Sequence, residues 1–116
     1  MTWVRLVSNG VILTTTPEIP GYKVKKVLGI VHGMSIRTRG FGGRLIAGLE
    51  ALAGGRGEVY LTELRKAKDE ALGDLVRHAQ SIGANAVIGI DFETSEILEG
   101  FILVSVTGTA VVVEPE

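Results

Sequence analysis

The chain has 116 residues, 12 basic and 13 acidic side chains for a formal charge of −1, and no cysteine. That length suits one hydrophobic core, the balanced charge excludes the basic surface of a nucleic-acid binder, and the lack of thiols excludes disulfides, thiolate metal sites and cysteine nucleophiles. Apolar residues make up 46% of the chain, with a mean hydropathy of +0.34. The longest uncharged run, Phe101 to Val113, is too short to span a bilayer, and the amino terminus lacks a signal-peptide pattern. A cytoplasmic protein with no membrane or nucleic-acid partner is therefore expected. The apolar excess is assigned to surface buried against further copies of the chain.

Residues 1–10 read as an extension, an added strand or a loose arm, before a single domain over 11–116. The first strand is the run Val11 to Thr16, β-branched except at Leu13 and stopped by Pro17-Glu18-Ile19-Pro20-Gly21. Pro20-Gly21 suits the centre of a type II turn, because proline presets φ and glycine accepts positive φ. A second strand follows from Tyr22. Its middle, Val27-Leu28-Gly29-Ile30-Val31, is apolar on both faces, which predicts a central strand paired closely with the first.

Gly40-Phe41-Gly42-Gly43 then opens a short apolar helix over Leu45 to Leu52. A long amphipathic helix is predicted from Glu58 to Ile82, with Leu61, Leu64, Ala71, Leu72, Leu75, Ala79 and Ile82 on one face. Two strands close the chain: Ile88, Ile90 and Phe92 alternate with Gly89, Asp91 and Glu93, and Ile102, Val104, Val106, Ala110 and Val112 share a face opposite Ser105, Thr107 and Thr109. The fold class is α+β in β-β-α-α-β-β order, a sheet packed against one long helix.

Five ordered segments resemble the YbjQ-type family of small uncharacterised proteins, which carries a heavy-metal-binding label. They are Thr14-Thr15-Thr16-Pro17-Glu18-Ile19-Pro20-Gly21-Tyr22, Leu28-Gly29-Ile30-Val31, Gly83-Ala84-Asn85-Ala86-Val87, Thr94-Ser95-Glu96-Ile97 and Gly108-Thr109-Ala110-Val111-Val112-Val113. The resemblance implies a dodecin-like subunit closing into a homo-oligomeric ring, a pentamer. The chain departs from the family pattern after Arg39, where Gly40 to Arg44 replaces a stretch that commonly holds a histidine and an aspartate.

Composition and spacing supply few parts for chemistry. His32 and His78 occur without His-x-His or His-x-x-x-His spacing, so no metal ligand and no cofactor is predicted. The Gly40–Gly43 loop lacks the lysine of a phosphate loop, and no serine sits in a nucleophile elbow, so no catalysis is expected. Asp91 and Glu93 project from one strand face, where an acid/base pair or solvated charges would both fit. Helical spacing places Lys68 within the apolar face, between Leu64, Leu72 and Leu75, as a snorkelling side chain or as a cation for an anionic ligand or a neighbouring subunit's carboxylate. The candidate ligand-binding or interface residues are Thr14, Thr15, Thr16, Glu18, Lys68, Asp91, Thr94 and Glu96. The expected function is a non-enzymatic homo-oligomeric binding or scaffold protein holding a small anionic ligand at subunit interfaces. A metal-binding module is the alternative.

Overall fold

The computed structural model describes residues 6–38, 58–98 and 101–116. The alternation of the carboxy-terminal run becomes strand β5 (Phe101–Pro115), which pairs antiparallel on both sides, with β4 (Ala86–Leu98) and with the 17-residue β3 (Tyr22–Thr38). β2 (Val11–Leu13) lies parallel to β4, and β1 (Leu6–Ser8) pairs antiparallel with β2. The result is a five-stranded mixed sheet in the order β1-β2-β4-β5-β3.

Two expectations are corrected by this topology. β2 and β3 do not pair, although the turn between them forms as predicted: Gly21 has φ +87° and the Tyr22 N–H donates to the Ile19 carbonyl at 3.0 Å. The polypeptide leaves β2 on one side of the sheet and enters β3 at the far edge. β3 is therefore an edge strand rather than a central one, and Val27 and Ile30 are 65% and 73% exposed. The first strand is also shorter than read, because Thr14 to Thr16 turn away at the end of β2. Part of the amino-terminal segment joins the sheet as β1, through an Asn9-Gly10 turn in which both residues have positive φ (51° and 80°). That is the geometry a two-residue hairpin favours.

Helix α1 (Glu58–Ser81) lies across one face of the sheet. Ala67, Ala71, Leu75, Val76 and Ala79 are buried there against Val31, Val87, Val104, Val106 and Ala110. Full burial of a valine or leucine contributes roughly 1.5–3 kcal/mol, which makes this layer the principal hydrophobic contact of the described residues. Small residues on the helix let it approach closely: a Cβ at Gly33 would overlap the backbone of Ala71 and Leu75. Leu64 and Leu72 pack at the margin of the core, whereas Leu61 and Ile82, at the two ends, are each 41% exposed. A second cluster on the opposite face joins Ile19 to Ala86, Val111 and Val113, and pins the Pro17–Gly21 turn against the sheet. The short helix expected over Leu45–Leu52 and the glycine clusters beside it lie outside the described residues. Among the described residues no helix is long and apolar enough to cross a membrane.

Candidate functional site

The sequence-predicted residues do not converge on one place. Thr14, Thr15, Thr16 and Glu18 form a single turn at the end of β2. The hydroxyls of Thr14 and Thr16 lie 2.7 Å apart, and the Thr16 hydroxyl donates to the Glu18 carbonyl at 2.6 Å. The Gly89 and Ile90 N–H groups donate to the Thr16 and Thr14 carbonyls, which ties the turn to β4. These hydroxyls mainly satisfy the turn's own backbone, a local alternative to ladder pairing. Beside the turn is an open cavity of about 470 Å³, with Glu18, Tyr22, Lys23, Val24 and Glu116 in its wall.

Lys68 is exposed and lies beside, not within, the buried line of Ala67, Ala71 and Leu75. The helical phase read from Leu64 and Leu72 was set by residues that are only half-buried. Its Nζ stands 5.6 Å from the centroid of the Phe92 ring, and none of the described carboxylates pairs with it. Thr94, two residues beyond Phe92, is exposed on that same helix-facing side of β4. Asp91 and Glu93 share the opposite side of the sheet, across from Thr107 and Ser105. Asp91 therefore cannot be the partner of Lys68 within one chain. Glu96 pairs with Ile102 along the backbone, and its side chain lies outside the described residues.

The constellation that sequence reading missed lies where α1 meets β3. The N–H of Met34 donates to Asp74 Oδ2 at 3.0 Å, and the Ser35 hydroxyl donates to Glu70 Oε1 at 2.7 Å. Arg37 pairs with Glu70 at 3.0 Å and with Glu63 at 3.7 Å. Side chains spaced along one flank of the helix thus engage the outermost strand, which would otherwise offer unpaired N–H groups to any passing strand. One turn further along, His78 meets His32. Their ring centroids are 5.3 Å apart with a 60° interplanar angle. His78 Nδ1 is 3.3 Å from the His32 backbone nitrogen and 3.4 Å from its carbonyl oxygen. Forty-six positions separate the two histidines, so no local spacing could reveal the pair.

A model of the family described as "Putative heavy-metal-binding" matches residues 11–114. The chain belongs to this YbjQ family. A UPF0145 protein from Methanoregula boonei is 46% identical over 109 residues, covering 94% of this chain and 91% of the relative. The UPF0145 protein of Picrophilus torridus is 42% identical over 107 residues, covering 92% and 91%, and that of Pyrococcus horikoshii is 42% identical over 106 residues, covering 91% of each. Among solved structures, a DUF74-family protein of unknown function from Pediococcus pentosaceus superposes with a TM-score of 0.59. It is 18% identical, over 91% of this chain and all of that one, a likeness of fold. The YbjQ family is uncharacterised. The segment Gly83 to Val87, quoted above for the resemblance, has a clear structural task. Asn85 Nδ2 donates to the Val113 carbonyl at 2.9 Å, and its Oδ1 accepts the Val113 N–H at 2.8 Å.

Proposed function

We propose that this YbjQ-family protein is a non-catalytic, homo-oligomeric binding or scaffold protein whose subunits associate through the sheet face turned away from α1. The observation that carries the reading is the apolar strip along β3. Val24, Val27, Ile30, Met34 and Ile36 are each at least 44% exposed, and register with β5 puts them on that one face. Single exposed apolar residues are ordinary, but a strip of five on one face of an edge strand, interrupted by the exposed His32, is what a monomer avoids and an interface uses. A second copy is the occupant that also accounts for the chain's apolar excess, and the family resemblance suggests five subunits.

A small anionic ligand fits Lys68, a cation on the helix side of the sheet, away from that interface, which no described carboxylate neutralises. Light scattering on the purified protein should give a mass that is a multiple of 12.3 kDa, and Ile30→Glu together with Met34→Glu should reduce it to that of the monomer. A wild-type mass of one chain at micromolar concentration would overturn the proposal. One observation favours a second reading, the metal-binding module named by the family's description: the paired imidazoles of His32 and His78.

A further inference from the structure

We infer that His32 and His78 are the protein ligands of a site for one borderline divalent transition-metal ion, of the zinc, nickel or copper(II) class. The inference rests on the metal-binding reading and assigns it to residues. Two imidazoles bonded at about 2.1 Å to one tetrahedral ion hold their ring centroids roughly 5 Å apart. The observed separation is 5.3 Å, with the rings tilted rather than stacked. The ring separation is therefore the one a two-imidazole site requires.

The surroundings of His78 supply the second argument. A ligating histidine uses one ring nitrogen for the metal and commonly donates the other N–H to a carbonyl or carboxylate, which fixes the tautomer and aims the ring. His78 Nδ1 has both kinds of partner within reach on one residue: the His32 N–H at 3.3 Å and the His32 carbonyl at 3.4 Å. Without metal, Nδ1 accepts from the N–H and the proton resides on Nε2. With metal on Nε2, the proton moves to Nδ1 and is donated to the carbonyl. Nδ1 is satisfied in either state: the bond it accepts from the His32 N–H is exchanged for one it donates to the His32 carbonyl.

The chemistry of the site sets its selectivity and strength. Imidazole nitrogen suits zinc, nickel and copper(II), whereas soft ions such as copper(I) prefer the thiolates this chain lacks. Among the described residues no third histidine, aspartate or glutamate joins the pair. Two protein ligands leave the remaining positions to water, and affinity in the micromolar range follows. Because one ligand stands on α1 and the other on β3, the ion would tie the helix to the edge strand.

The test uses tag-free, metal-stripped protein titrated calorimetrically with zinc chloride and with nickel chloride. One ion per chain should bind with micromolar affinity, and His32→Ala and His78→Ala should each weaken it at least tenfold. His32→Gln serves if His78→Ala impairs folding, since among the described residues the His32 ring itself makes no hydrogen bond. Nitrogen-15 spectra of the histidine rings should move the His78 proton from Nε2 to Nδ1 as zinc is added. Stoichiometric binding that survives both alanine variants would overturn the site while sparing the metal-binding reading. No binding to the wild type would overturn both.

Discussion

Gly33 of β3 lies so close under α1 that a side chain there would collide with the Ala71 carbonyl. The obstacle is backbone on a helix that Leu75 and Val76 hold against the core, so it cannot swing aside as a long side chain could. Gly33→Ala should force helix and strand apart and cost about 3 kcal/mol, at the upper end for overpacking. At roughly 4 °C or more per kcal/mol for a domain of this size, the melting temperature should fall by more than 10 °C. A variant melting within a few degrees of wild type would show that the helix sits further from the sheet.

Asn85 stands in for a strand residue where β4 has not yet begun. Its amide makes paired hydrogen bonds to the N–H and carbonyl of Val113, 2.8 and 2.9 Å long. Asn85→Ala removes both, at about 1 kcal/mol each, and urea denaturation should register a loss of about 2 kcal/mol with an unchanged slope. Asn85→Asp keeps the acceptor but sets a carboxylate oxygen against the Val113 carbonyl in place of the donor, so at neutral pH it should be no more stable than alanine. Equal stability of all three proteins would count against the motif's structural role.

Lys68 separates a solvated surface cation from one buried between subunits. For an exposed cation over the half-buried Phe92 ring, 5.6 Å away, the attraction amounts to about 0.5–1 kcal/mol. Lys68→Met retains the packed stem and should destabilise by no more than that, with the mass in solution unchanged. A loss of about 3–5 kcal/mol, or dissociation, would instead reveal a neighbouring subunit's carboxylate left buried without its partner.

Much of the fold is legible in the chain itself. The long helix runs to Ser81, within one residue of the predicted end, because Gly83 offers the stop its apolar period needs. β5 follows its alternation, and the Pro20-Gly21 turn forms where its two residues demand. The Asn9-Gly10 pair was an equally good signal for the β1–β2 hairpin, and the short strands around it concealed that role. The helical phase of Lys68 was misread because alanines 67, 71 and 79, rather than the larger Leu61 and Ile82, carry the buried line.

Local patterns of charge, turn chemistry and periodicity act between residues a few positions apart, so the sequence by itself determined the long helix and its end, the Pro20-Gly21 turn and the alternation of β5. Which strands become neighbours depends on contacts far apart in the chain, and there the same apolar pattern admits more than one answer. The run Val27 to Val31 is apolar on both faces whether a strand is flanked within the subunit or lies at an edge, and tertiary structure placed it at the edge. That decision exposed the strip from Val24 to Ile36, brought the flank of α1 against β3, and set His32 beside His78. A helix of about 3.6 residues to the turn, crossing a strand with two to the repeat, brings side chains together at intervals that neither period announces.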